Sequence, residues 1–133
     1  MKTVGIIGGA GFIGSHLTQK FLAEGYKVKA SVTDLSKPDK YAHLQAFPNA
    51  NQLEIVALRT ENKLQAEAFV AGCNIIIHAG TPFQLDVKDP KTELFDPTIQ
   101  GTEHLLELAS RSENLERFVF IASVASYNTH FPL

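Results

Sequence analysis

The sequence predicts an α/β protein built on a doubly wound parallel sheet, and three observations support this fold class. Five short apolar runs alternate with segments of helical periodicity along the chain. A glycine-rich stretch joins the first apolar run to the first helical segment. The fourth run is continuously apolar, as a strand buried on both faces of a parallel sheet is. We therefore expect five parallel strands connected by right-handed crossovers.

The first half of the chain predicts a βαβ unit followed by a third strand. Residues 4–7 read as the first strand, 27–33 as the second and 53–58 as the third. The helix between the first two strands covers 12–24, and Gly25 ends it. Its apolar residues at near-helical spacing are Phe12, Ile13, Leu17, Phe21 and Leu22. A short helix is expected over 40–46.

The second half continues the alternation. A helix over 61–71 is closed by Gly72, and the fourth strand covers 74–79. A loop containing prolines and aspartates is predicted over 80–97, followed by a helix over 98–110. The fifth strand, 117–122, would be an edge of the sheet. Its apolar residues are Phe118, Phe120 and Ile121. An apolar edge invites pairing with another chain, so we expect self-association.

Length and composition predict one domain over residues 1–133. A hydrophobic content of 44% suffices for one packed core, and the chain is too short for two ordinary domains. The net charge of −2 gives no excess of basic residues, so we expect no nucleic-acid or membrane partner. Cys73 is the single cysteine, which predicts no disulfide and no metal site. A soluble, cytoplasmic protein is expected.

Three glycines indicate a site for a phosphate-containing ligand. Gly8, Gly11 and Gly14 follow the first strand and open the first helix. Gly8 permits a sharp turn, Gly11 lets the backbone approach a pyrophosphate, and Gly14 lets the helix pack closely. The N–H groups of Phe12 and Ile13 and the helix dipole would attract the anion. This predicts a dinucleotide bound in a Rossmann fold; a glycine-rich turn without a ligand is the alternative.

The motifs of the chain resemble those of the extended short-chain dehydrogenase/reductases. The spacing Gly-x-x-Gly-x-x-Gly, followed by Ser15-His16-Leu17, is typical of that family. The stretches 72–82 (GCNIIIHAGTP), 88–90 (KDP) and 97–102 (PTIQGT) are similar to the dihydroflavonol reductase and cinnamoyl-CoA reductase branch. The resemblance covers nearly the whole chain. It implies an NAD(P)-dependent oxidoreductase that reduces a carbonyl or oxidises a hydroxyl of a small-molecule substrate.

The resemblance also implies roles for two strand ends. The loop after the fourth strand runs beside the cofactor in that family, which implies contacts by Ala79, Gly80 and Thr81. Alternatively, Ala79 and Gly80 merely end a buried strand. Ser123 matches the serine whose hydroxyl hydrogen-bonds the reacting oxygen of the substrate and is our candidate catalytic residue. It could instead bond nearby backbone. We interpret His78 as a packing residue.

The residues expected to read the adenosine ribose depart from the family pattern. Val32 stands where NAD enzymes carry an acid, and Thr33 stands where the NADP-preferring branch carries an arginine. Lys40 matches a basic position that contacts the 2′-phosphate, and Ser31, Thr33 and Lys37 could assist. We therefore expect NADP rather than NAD, although Asp34 leaves NAD open. The alternative is that both lysines are solvated surface charges.

Two further family features are missing. The acid that holds the adenine amino group is absent from 57–59, where only the backbone of Leu58 could substitute. The family's proton donor is a tyrosine with a lysine four residues later. Tyr127 is followed at that spacing by Phe131. We expect a cofactor-binding part without the catalytic helix and substrate region, and with little or no turnover of its own.

Two other functions stay open. A sugar-nucleotide epimerase or dehydratase of the same superfamily would share most motifs, but Thr98 replaces an asparagine common in that branch. A dinucleotide-binding or redox-sensing module without chemistry is the alternative from a different class. Whether this chain is an enzyme is therefore undecided by its sequence.

Overall fold

The computed structural model describes residues 1–80 and 88–124, and its described part contains a five-stranded sheet in the order β3-β2-β1-β4-β5. The strands are β1 Thr3–Ile7, β2 Lys27–Val32, β3 Leu53–Ala57, β4 Ile75–His78 and β5 Arg117–Phe120. Every neighbouring pair is parallel. The predicted doubly wound sheet is confirmed. The strand order reverses between β1 and β4, so the helix that follows β1 and the helix that follows β4 pack on opposite faces of the sheet.

Helices cover both faces of the sheet. They are α1 Phe12–Ala23, α2 Ala42–Gln45, α3 Lys63–Val70 and α4 Asp96–Arg111. Short 3₁₀ turns occur at Pro38–Lys40 and Ala50–Gln52. Because successive strand residues point to opposite faces, Ile77 packs in a cluster with Leu22 and Leu44, whereas Ile76 packs with Phe69 and Leu105. None of the helices in the described ranges is long and apolar enough to span a bilayer.

The predicted loop over 80–97 is wrong from Lys91 onward. A π-helical segment covers Lys91–Phe95 and runs directly into α4. Pro90 and Pro97 indicated a loop in the sequence. However, proline has no N–H to lose in the first turn of a helix, and both prolines stand at such starts. The predicted short helix over 40–46 is also reduced to the single turn of α2, preceded by a separate 3₁₀ turn.

The buried face of α1 is not the face that the spacing of its apolar residues predicted. Gly14, Thr18 and Leu22 form the buried stripe, while Phe12 is 84% exposed and Ile13 is 49% exposed. The Thr18 hydroxyl donates to the carbonyl oxygen of Gly9 at 3.3 Å, which satisfies its polar group inside the contact. Small residues therefore bring α1 close to the glycine turn, and the two apolar side chains at its start are left at the surface.

Candidate functional site

A cleft of about 540 Å³ lies at the carboxyl edge of the sheet. Its lining includes Gly8 after β1, Thr33 after β2, Leu58 and Arg59 after β3, and Gly80 after β4. These strand ends meet where the strand order reverses. Open parallel sheets bind their ligands at such a point.

The glycine turn forms one wall of the cleft and is held by β2. Gly8 has φ of +77°, and its N–H donates to the Ser31 hydroxyl at 3.0 Å. The next N–H, of Gly9, donates to the Ser31 carbonyl oxygen at 3.0 Å. No local pattern in the sequence indicates this contact of Ser31, because the bond spans 23 residues. Ser31 therefore fixes the turn through both its side chain and its backbone.

Gly11 and Gly14 lack a side chain for different reasons. A Cβ atom at Gly14 would collide with the carbonyl oxygen of Gly8, so α1 packs on the turn only without it. At Gly11, by contrast, a Cβ atom would have only the Gly8 carbonyl oxygen nearby, at 3.3 Å, apart from its chain neighbours. Packing within the described structure therefore explains Gly14, while Gly11 faces open space that a ligand can approach.

The start of α1 follows the glycine turn directly; Gly8 lines the cleft, and Gly11, Phe12, Ile13 and Gly14 are not among the described lining residues. In the described residues, Gly11 provides no side-chain cap, and the first turn of α1 contains no acidic residue. The N–H groups and the positive end of the helix dipole at Phe12, Ile13 and Gly14 are thus not balanced by a carboxylate. The structure brings these residues together with Gly8 and Gly11. An anion such as a pyrophosphate fits this arrangement.

The end of β4 lies directly against the glycine turn. The Ala79 N–H donates to the Ile7 carbonyl oxygen at 3.0 Å, and a Cβ atom at Gly80 would lie 2.7 Å from the Cα atom of Gly8. Small residues are therefore needed here for the two strand ends to meet. Thr81, the third residue assigned to this loop, lies outside the described residues.

The residues beyond β2 do not converge on the cleft as the sequence suggested. Thr33 is exposed and lines it, but Lys37 and Lys40 are not among its described lining residues. Asp34 is turned into its own loop, since its Oδ1 accepts from the Ser36 hydroxyl at 2.6 Å and from the Ser36 N–H at 2.9 Å. The hydroxyl bond is the main reason why the pKa of Asp34 is lowered, and Lys37 adds a smaller effect.

Two residues after β3 reach the cleft. Leu58 is buried, and its N–H donates to the Val32 carbonyl oxygen at 2.8 Å, so that group holds β3 to β2. Arg59 is exposed and contributes the positive charge among the described lining residues, where Glu61 and Glu93 are negative. Arg59 falls in the range 57–59, where the acid typical of the family is absent. Its basic side chain was the signal that could have identified it.

Ser123 lies at the same edge of the sheet. The Ile121 N–H donates to the His78 carbonyl oxygen at 3.1 Å, so β5 stays paired with β4 one residue past its end. Ser123 follows two residues later and is exposed. His78 is 2% exposed, and its ring lies 5.1 Å from that of Phe120. Burial lowers the pKa of His78, which favours the neutral ring, and the buried contact with Phe120 agrees with a packing residue.

Comparison with known proteins agrees with this geometry. The model of the NAD dependent epimerase/dehydratase family matches residues 4–132. A cinnamoyl-CoA reductase of Medicago truncatula is 39% identical over 128 residues, which cover 94% of this chain and 39% of that protein. A dihydroflavonol 4-reductase of Arabidopsis thaliana is 34% identical over 129 residues, 96% of this chain and 34% of that protein. Gre2 of Candida albicans, solved with NADPH, has a TM-score of 0.82 and 27% identity.

The chain spans well under half the length of these proteins. The superposition on Gre2 covers 98% of this chain and 39% of that one. Both reductases align with it over most of its residues.

Proposed function

Because the chain belongs to the NAD-dependent epimerase/dehydratase family, as its motifs indicated, we propose that residues 1–133 form the dinucleotide-binding part of an NAD(P)-dependent reductase. One observation carries the proposal. Gly11 has open space beside it and precedes an uncapped helix start, and Gly8, whose carbonyl oxygen accepts from the Gly11 N–H, lines the cleft at the reversal point of the sheet. These features suit the pyrophosphate of a dinucleotide.

Different residues contact different parts of the dinucleotide. The backbone of Gly8, Gly11 and Gly14, with the N–H groups of Phe12 and Ile13, binds the pyrophosphate. The adenosine end lies towards Thr33 and Leu58, with Lys37 and Lys40 on the adjoining surface. The nicotinamide ribose is assigned to Ala79 and Gly80 and, from the family resemblance alone, to Thr81. NADP is the expected dinucleotide, which accords with the NADPH in the Gre2 structure.

The reaction we propose is hydride transfer to a carbonyl or from a hydroxyl. The nicotinamide supplies the hydride chemistry when bound. Ser123, after β5, would donate a hydrogen bond to the reacting oxygen of the substrate and orient it. The cinnamoyl-CoA and dihydroflavonol reductases among the relatives suggest an aromatic carbonyl substrate. An epimerase or dehydratase acting on sugar nucleotides is the alternative within the family.

A binding or redox-sensing module without chemistry is a second candidate. Within this sequence, the residues four positions after Tyr26, Tyr41 and Tyr127 are Ala30, Gln45 and Phe131. No tyrosine of this sequence is therefore paired with a lysine at the spacing that lowers the pKa of a phenol on a helix. A module of this kind would bind the dinucleotide through the same glycine turn.

Calorimetric titration of the chain with NADPH, NADP, NADH and NAD tests the proposal. We expect binding of a dinucleotide, tighter for the NADP pair, and little or no oxidation of NADPH by aromatic aldehydes. Free adenine serves as the control ligand, because it lacks the pyrophosphate. The proposal fails if no dinucleotide binds more tightly than adenine. Measurable turnover would instead show that a proton donor other than the Tyr-Lys pair operates.

Self-association through β5 is the second expected property. β5 is an edge of the described sheet, and Phe120 and Ile121 are 43% and 36% exposed there. An apolar edge strand can pair with that of a second copy. We expect a concentration-dependent dimer by size-exclusion chromatography, and Val119→Lys should shift it to monomer. Leu64→Lys, at a residue of α3 that is 78% exposed, is the matched control. A wild-type monomer at every concentration would contradict this expectation.

A further inference from the structure

The end of β2 offers no positively charged side chain to the adenosine end of the cleft. Val32 and Thr33 occupy the positions where a dinucleotide site reads the ribose, and neither side chain is charged. The next residue, Asp34, has one carboxylate oxygen bonded twice to Ser36. The described side chains that line the cleft include one positive charge, and it comes from the neighbouring strand end, at Arg59.

The backbone of Arg59 is fixed from both sides. Its N–H donates to the Gln65 Oε1 at 2.7 Å, and its carbonyl oxygen accepts from the Asn62 N–H at 2.8 Å. Asn62 in turn caps α3, because its side chain accepts from the Gln65 N–H at 3.1 Å. The bond from the Leu58 N–H to Val32 holds this loop beside the end of β2. The guanidinium is therefore carried by a rigid loop next to Thr33.

The guanidinium is also available for a ligand. Arg59 is exposed, and no described carboxylate lies within 4.0 Å of its guanidinium nitrogens. It nevertheless lies close enough to Asp34 to help lower the pKa of that carboxyl, after the Ser36 bonds and Lys37. Its charge is thus felt at the end of β2. A guanidinium offers five N–H donors in a planar fork that suits two oxygens of one phosphate.

We propose that Arg59 binds the 2′-phosphate of NADP from β3, and so determines the preference for NADP over NAD that β2 cannot determine. The proposal rests on the proposed function, since it needs a dinucleotide in the cleft. The adenosine ribose of a dinucleotide lies over the end of β2, where Thr33 and Arg59 line the same cleft. Thr33 leaves room for the phosphate and can donate a hydroxyl hydrogen bond to it, while Arg59 supplies the charge.

Titrations of Arg59→Gln with NADPH and NADH test this assignment. We expect NADPH to bind about 30-fold more weakly than to the wild-type chain, which corresponds to one charged hydrogen-bond pair. Affinity for NADH should be unchanged. Lys37→Gln and Lys40→Gln test the competing assignment of the 2′-phosphate to these lysines, because each removes one positive charge outside the described cleft lining. They should weaken NADPH binding less than threefold, as screened surface charges do.

Two probes shorter than the dinucleotide locate the effect. Adenosine 2′,5′-bisphosphate should lose affinity for Arg59→Gln, and adenosine 5′-monophosphate should not, since only the first carries a 2′-phosphate. Arg59→Lys keeps the charge without the planar fork and should restore part of the selectivity. The side chain is exposed, so circular dichroism melting should show the same fold in all variants.

Each result decides the point. Equal losses for NADPH and NADH would overturn the proposal, because Arg59 would then contact a part common to both. Unchanged NADPH binding in Arg59→Gln would also overturn it, and a selective loss in Lys40→Gln alone would in addition assign the phosphate to that lysine. If the wild-type chain binds neither dinucleotide, the proposed function itself fails. If the wild-type chain binds both dinucleotides and Arg59→Gln binds them equally well, the proposed function stands and Arg59 has no part in it.

Discussion

Gly11→Asp is expected to abolish dinucleotide binding while the fold stays intact. The position is exposed, and a side chain there meets only the Gly8 carbonyl oxygen at 3.3 Å within the protein. A carboxylate would therefore extend into the space where the pyrophosphate has to approach. Like charges brought together at a binding surface cost several kcal/mol, so we expect a loss of at least about a hundredfold in affinity. Calorimetric titration with NADPH measures this loss.

Gly11→Ala separates the two causes of that effect. An alanine adds bulk without charge, so a smaller loss, about tenfold, is expected if the backbone must come close to the ligand. Thermal melting of both variants should lie near that of the wild-type chain, because little protein surrounds the position. Wild-type affinity in Gly11→Asp would place the phosphates elsewhere and remove the main support for the proposed function.

Gly14→Ala is expected to cause a large loss of stability. The added Cβ atom would collide with the carbonyl oxygen of Gly8 and come within 2.9 Å of the Cα atom of Gly9. Both are backbone atoms of a turn that Ser31 holds with two hydrogen bonds, so no flexible side chain can move aside. Overpacking against such a fixed neighbour costs about 3 kcal/mol of the free energy of unfolding. Urea denaturation followed by circular dichroism measures it.

Gly25→Ala provides the matched comparison for Gly14→Ala. Gly25 has φ of +90°, and a Cβ atom there would have nothing within 4 Å. Its replacement therefore incurs backbone strain alone, about 1 kcal/mol. If Gly14→Ala destabilises the chain no more than Gly25→Ala does, the close packing of α1 against the turn does not limit stability and our account of Gly14 is wrong.

Several features of this chain could be read from the sequence because they depend on neighbouring residues. Apolar runs that alternate with segments of helical periodicity predict the parallel sheet, because the spacing of apolar residues in each segment reflects which of its faces is buried. Gly25 and Gly72 were predicted to end helices, and both have positive φ. The sharp turn at Gly8 and the close packing at Gly14 were also predicted, and both are present in the structure.

Other features were decided by the tertiary structure, because they depend on residues far apart in sequence. The side of α1 that lies against the glycine turn is the buried side. Gly14 and Thr18 are therefore buried, while the larger Phe12 is exposed. The helical residues before α4 were hidden by prolines that fit a helix start. The sequence showed that β2 lacks a charged reader. Only the pairing of β3 with β2 placed Arg59 next to Thr33, because a ligand site collects side chains by their separation in space, which hydrogen bonding between strands determines.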